Sequence, residues 1–309
     1  MKRILVSALL LALLSPAAIA QAAPVQEFNV QLKDVKPDGR YTIVFTANSF
    51  DTSGEPPPLL TSNTVRFAAG VNIRKEFMNG TYQCDVAKLR DALLSVPESG
   101  YFFRRLDKLP ATYKRIRDRL SPEARKATET CIRGQIGAGT VVVDARTLGL
   151  PDPLPAKLYL YLSKPQAKGA FASFGIFAVL DESSPAIQAL GSLGTLKLVF
   201  STDLFNEPSA DGLYGVKMVL PTGSGLRISV AELKVTTPGI TKQTIKKTCV
   251  TKKKGKCVKS RSKVVSSLFW LTQPTCPASG QVTFRSDYGY ETGLATEKTI
   301  QVPCPRFQQ

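Results

Sequence analysis

Six cysteines constrain this chain before anything else does. Cys84, Cys131, Cys249, Cys257, Cys276 and Cys304 all lie downstream of an N-terminal stretch that reads as an export signal. In that stretch, residues 1–22, Lys2 and Arg3 precede an apolar run at 4–14, and Ala18-Ile19-Ala20 and Ala20-Gln21-Ala22 supply small residues suited to cleavage. Thiols carried into an oxidising compartment become crosslinks, so the even count predicts three disulfides. Proximity along the chain and the layout of the intervening strands favour Cys84 with Cys131, Cys249 with Cys257, and Cys276 with Cys304, each pair bracketing one local unit. A zinc site is not expected, because there is no Cys-x-x-Cys and no histidine anywhere in the 309 residues.

Between the cysteines, hydropathy alternates with the two-residue period of a strand. Phe28, Val30 and Leu32, then Tyr41, Ile43 and Phe45, flank the turn Lys36-Pro37-Asp38-Gly39 and predict a hairpin over 27–33 and 41–48. Further extended segments are expected at 64–67, 71–77, 140–145, 156–163, 170–180, 196–201, 215–220, 226–235, 263–271, 281–288 and 296–302. Leu158, Leu160 and Leu162 alternate with Tyr159 and Tyr161, and 171–180 is apolar apart from Ser173 and Gly175, so these two strands should be central and covered on both faces. Asn79-Gly80 predicts a hairpin-type turn that tolerates positive φ. From Cys84 to Cys131 the period lengthens to that of a helix: Val86, Leu89 and Leu93 share one face, and Tyr113, Ile116 and Leu120 another. Ser121-Pro122-Glu123 has the hydroxyl cap, first-turn proline and acidic group of a helix start. The expected fold is therefore all-β, an antiparallel β-sandwich or partly open barrel over 23–309 as one domain, with a small α-helical insertion at 84–131 and a basic hairpin at 241–263.

The motifs also resemble, as a set, a family of secreted β-rich proteins of soil actinobacteria with no known activity. The matching features are Cys84 ahead of a helix, Cys131 followed by Ile136-Gly137-Ala138-Gly139-Thr140, the lysine-rich stretch, Cys276-Pro277-Ala278-Ser279-Gly280 with Phe284, and the ending Val302-Pro303-Cys304-Pro305. Cys249 and Cys257 fall outside that pattern, so their pairing rests on the local argument alone. The resemblance implies export and a β-rich fold but no chemistry.

Charge gives the more specific lead. The formal net charge is +17, or +15 without Lys2 and Arg3, which predicts attraction to anionic polymers or membrane surfaces. Residues 241–270 hold Lys242, Lys246, Lys247, Lys252, Lys253, Lys254, Lys256, Lys259, Arg261 and Lys263 without one Asp or Glu. Unpaired ammonium groups cannot leave water cheaply, so this stretch must stand outside the core. Cys249 and Cys257 enclose 250–256, where Gly255 can take the left-handed conformation of a tight connection, and a disulfide-pinned hairpin is expected. The candidate anion-binding residues are Lys246, Lys247, Lys252, Lys253, Lys254, Lys256, Lys259, Arg261 and Lys263, directed at an envelope polymer or lipid surface, with nucleic acid as a non-specific partner. The competing reading is that these lysines only keep an edge ribbon soluble and unpaired.

Without histidine the chain cannot supply a Ser-His-Asp or Cys-His system. Ser260-Arg261-Ser262-Lys263 matches the S-x-x-K of serine acyl enzymes but has no K-T-G companion. A carboxylate-dependent glycoside hydrolase would draw on Asp203, Glu207 and Asp211 or on Asp287 and Glu291. A carrier of an apolar or acyl-chain ligand would line a curved sheet with Phe171, Phe174, Phe177 and Phe200. Arg104, Arg105, Lys108, Lys114, Arg115, Arg117 and Arg119 read as a solvated helix face. No cofactor, metal or membrane-spanning segment is expected.

Overall fold

The computed structural model describes residues 24–37, 39–50, 58–98, 100, 103, 105–144, 154–180, 188, 197–220, 229–237, 241–253 and 255–305. The expected leader at 1–22 lies outside them, as do Arg104 and Lys254.

The N-terminal hairpin forms as the alternation predicts. β1 (Val25–Lys33) and β2 (Thr42–Phe50) pair in continuous register from Val25↔Phe50 to Lys33↔Thr42. The chain then crosses to β3 (Leu60–Ala68), passes among the described residues through three longer α-helices, and enters the meander β4 (Gln135–Asp144), β5 (Leu154–Ser163), β6 (Ala172–Leu180), β7 (Lys197–Asn206) and β8 (Tyr214–Leu220). β9 (Ser229–Thr237) returns between β2 and β4, and β12 (Gln281–Tyr290) and β13 (Ala295–Pro303) follow a separate ribbon. The result is one antiparallel sheet of 11 strands in the order β1-β2-β9-β4-β5-β6-β7-β8-β3-β12-β13. It curls into a nearly closed barrel, and its end strands β1 and β13 lie alongside each other without a hydrogen-bonded ladder. The Gln26 side chain of β1 reaches across this seam to the Tyr290 hydroxyl of β12, and also bonds Ser49 at 2.5 Å.

β5 and β6 lie at the centre of the strand order, as expected, and the Leu/Tyr alternation explains how both faces are used. Leu158, Leu160 and Leu162 point into the barrel with Ile43, Phe67, Phe174 and Phe284. Tyr159, Tyr161, Phe177 and Val179 point outward, under a layer of helices. That layer comprises α1 (Val86–Leu94), α2 (Leu109–Ile116) and α3 (Pro122–Gly134). Leu89, Leu93, Tyr113, Ile116 and Leu120 are buried against the strands, each fully covered apolar side chain contributing about 1.5–3 kcal/mol. Asp85 caps α1 by accepting from the Lys88 N–H at 3.0 Å, and Ser121 caps α3 by accepting from the Ala124 N–H at 3.2 Å. Gly175 of β6 lets α1 approach, since a Cβ there would stand 2.2 Å from Val86 Cγ2.

All three cysteine pairs form as expected, with Cα separations of 4.4 Å for Cys84–Cys131, 5.8 Å for Cys249–Cys257 and 5.7 Å for Cys276–Cys304. The first ties the start of α1 to α3, while the Cys84 N–H donates to the Leu162 carbonyl at 2.7 Å and anchors the helical layer to β5.

Three local expectations are corrected. Residues 71–77 do not form a strand: Ile73 makes one bridge to Leu271, then a 3-10 turn at Lys75–Phe77 carries Phe77 inward against Tyr82. Asn79-Gly80 is a turn, but Gly80 is not among the positive-φ glycines, and the turn feeds α1 rather than joining two strands. Its side-chain oxygen accepts from the Thr81 N–H at 2.9 Å, which bends the chain without a hairpin. β4 starts at Gln135 and not near Thr140, because Gly137 and Gly139 belong to the strand. A Cβ at 139 would lie 2.0 Å from the Lys234 carbonyl oxygen, so the glycine marks close packing of β4 on β9.

Candidate functional site

The basic stretch is a β-ribbon separate from the barrel sheet. β10 (Thr241–Lys253) and β11 (Lys256–Phe269) pair only with each other. At about 3.3 Å per residue, strands of this length reach roughly 40 Å. The base is anchored because Phe269 is buried and packs edge-on against Tyr41, with ring centroids 5.6 Å apart, and Trp270 packs likewise on Phe174 at 5.9 Å. The far end turns at Gly255, whose φ of 75° is the left-handed conformation expected there. The Cys249–Cys257 disulfide sits just behind this turn.

Lys246, Lys247, Lys252, Lys253, Lys256, Arg261 and Lys263 are all exposed, and among the described residues none of them forms an ion pair. Lys254 and the side chain of Lys259 lie outside what is described. The register sets Lys246 directly opposite Lys263, and Lys253 directly opposite Lys256. Like charges facing across a ladder oppose pairing by roughly 0.2–1 kcal/mol each, and no acidic residue occurs anywhere from 233 to 286 to offset them. The ladder also shifts register at Thr244/Ile245, Cys249/Thr251 and Thr251/Lys252. At the last two shifts, Val250 and Val258 have no register partner, and they are 58% and 60% exposed. Sequence reasoning missed both valines, since an isolated valine in a lysine run reads only as strand propensity.

The other candidates separate under the geometry. Asp203 accepts from the Gln166 and Ala167 N–H groups at 2.9 and 3.1 Å and so fixes the β5–β6 loop. Asp211 accepts from the Leu213 N–H at 3.0 Å and from the Ser209 hydroxyl. Glu207 is paired with Lys217 and lies 3.5 Å from Arg66, while Asp287 is paired with Arg66 and with Arg285 at 2.6 Å. The Lys217 hydrogen bond, helped by Arg66, holds the Glu207 carboxyl below its usual range. Lys217, Arg66 and Arg285 are themselves cross-strand neighbours, so these carboxylates neutralise a row of three cations on the outside of β8, β3 and β12. Ser260 and Lys263 are three apart on one strand, which projects them to opposite faces and leaves no serine–lysine pair. Of the phenylalanines, Phe171, Phe174 and Phe200 join the barrel interior, but Phe177 lies on the other face against Phe103, centroids 5.4 Å apart. On the helical layer, a depression of about 430 Å³ is lined by Tyr113, Lys114, Arg117, Glu129 and Arg133, with the Tyr113 hydroxyl donating to Glu129 at 2.5 Å. Among the described residues no group of three metal-ligating side chains converges, and no helix is long and apolar enough to cross a membrane. No family model, curated protein or solved structure matches this chain.

Proposed function

We propose that this protein is an exported binding protein that attaches to anionic surfaces of the cell envelope through the β10–β11 ribbon. The observation that carries the reading is the pair of directly opposed lysine couples, Lys246–Lys263 and Lys253–Lys256, on a disulfide-pinned ribbon in a stretch, 233–286, without one acidic residue. Such couples weaken the free ribbon and are relieved when an anion sits between them. Lysines that merely kept an edge solvated would do so as well if staggered or interspersed with glutamate. The crosslink lowers the ordering cost of binding, which a solubility device does not require. Three disulfides fit an oxidising compartment, in line with the leader expected at 1–22.

The test is binding of the mature chain to a panel of anionic polymers and lipid vesicles over a salt series, wild type against K252Q/K253Q/K254Q/K256Q. Near an anionic surface each lysine contributes about 1 kcal/mol, so the variant should bind about 10³-fold more weakly. Its salt dependence should flatten as fewer counterions are released. Equal affinity and equal salt slope for the two proteins would refute the proposal.

A further inference from the structure

We infer that the anionic surface is a lipid bilayer, and that the outer end of the ribbon settles into its interface with Val250 and Val258 toward the acyl layer and the neighbouring lysines at headgroup level. This rests on the ribbon being the binding element, and goes further by naming the phase it meets. Among the described residues these valines, at 58% and 60%, are the most exposed of the large apolar side chains, ahead of Leu94 at 49% and Phe50 at 42%. They stand in the bulged stretch beside the Cys249–Cys257 bridge, and the ladder gives neither a partner. Around them Lys252, Lys253 and Lys256 are exposed and, among the described residues, without ion pairs.

An anionic polymer in water would satisfy the lysines and leave the valines where they are, in contact with solvent. A bilayer interface offers both phases at the right depths, since phosphates lie at the headgroup level and acyl carbon begins several ångströms beneath. Lysine stems lie along apolar surface while their ammonium groups stay at phosphate depth, so the two residue types need not compete. The tip carries no carboxylate that an anionic headgroup would repel. A β-ribbon crosslinked behind its turn can rest at the hydrated interface without unfolding, water and headgroups meeting the backbone groups of its edges and bulges. Such shallow burial is distinct from spanning, and involves only the outer end of the ribbon.

The test uses the full mature chain with phosphatidylcholine vesicles, phosphatidylcholine–phosphatidylglycerol vesicles, and polyphosphate as an anionic polymer in water. V250S/V258S should bind the mixed vesicles about tenfold more weakly than wild type and bind polyphosphate equally well. V258W should shift its emission to the blue on those vesicles and be quenched by brominated acyl chains, against the low background of Trp270, which is 2% exposed in the core. Vesicle binding unchanged in V250S/V258S, or no bromolipid quenching of V258W, would overturn the bilayer inference. If the four-lysine variant still loses vesicle binding, the broader electrostatic reading survives that result. Should the lysine variant bind vesicles and polyphosphate as wild type does, both readings fall together.

Discussion

Removing the Cys249–Cys257 bridge separates the ribbon's own stability from that of the barrel. A two-stranded hairpin alone in water is marginally stable at best. Here the opposed lysine couples at 246/263 and 253/256 subtract roughly 0.4–2 kcal/mol together, and two of the three register shifts fall at the tip. Against that, a bridge between cysteines 8 residues apart restricts the unfolded ribbon by about 2.5 kcal/mol in the loop-entropy treatment. C249S/C257S should therefore open the ribbon beyond Lys247 while Phe269 and Trp270 keep its base in the core. Amide exchange by mass spectrometry should show tip peptides losing protection, and trypsin should cut at lysines it spares in the wild type. The barrel melting temperature should move by no more than about 1 °C, because nothing in the barrel depends on the tip. C84S/C131S supplies the contrast. Its 47-residue separation corresponds to about 4 kcal/mol, and with roughly 2–4 °C lost per kcal/mol in a chain of this size the melting temperature should fall by about 10 °C. The opened ribbon must also be ordered on binding, which should weaken surface affinity by up to about 60-fold. If C249S/C257S left tip protection intact, or lowered the melting temperature as far as C84S/C131S, the ribbon would not be the separate, bridge-dependent unit described.

Two further outcomes follow from single side chains. The Tyr161 hydroxyl is fully buried with no hydrogen-bond partner among the described residues, and burial pushes its pKa well up. Y161F should raise the melting temperature by about 2–4 °C, as roughly 1 kcal/mol of unmet polar burial is removed; a decrease in calorimetry would show that the hydroxyl is partnered. Because its folded pKa lies above the unfolded value of about 10, stability is full below that pH and lost as pH rises above it, and Y161F should soften this alkaline loss. Glu207 has the opposite sign. Its folded pKa is depressed, first by the Lys217 hydrogen bond, so the stability it adds is present above the unfolded value of about 4.3 and lost as pH falls through the lower folded one. K217M should flatten the acid limb of a melting-temperature profile below about pH 4.3, and an unchanged limb would count against that pairing.

What the sequence reveals and conceals about this fold has the same physical origin. Leu158, Leu160 and Leu162 against Tyr159 and Tyr161 reveal a strand covered on both faces, because bulk on both sides of a strand needs two layers to bury it. Ser121 and Pro122 reveal a helix start because capping is local. Strand order stays hidden: Phe45 pairs with Val235, and Arg66 with both Lys217 and Arg285, across loops of well over a hundred residues, where fit between faces decides and no local period reports it. Gly137 and Gly139 look like punctuation because they carry no side chain to alternate, yet the bare backbone is what lets β9 approach. The ribbon is the extreme case. From Lys252 to Lys263 there is no apolar face to mark a strand, so hydropathy starts β11 only at Lys263, and the cysteine spacing alone carries the hairpin back toward the turn, where the ladder runs from Lys256. A strand with an apolar stripe announces itself in hydropathy because it has a core to join. This one has none, its pairing being held by backbone hydrogen bonds and one crosslink, so every side chain near the turn, Val250 and Val258 included, is left to interact with whatever lies outside the molecule.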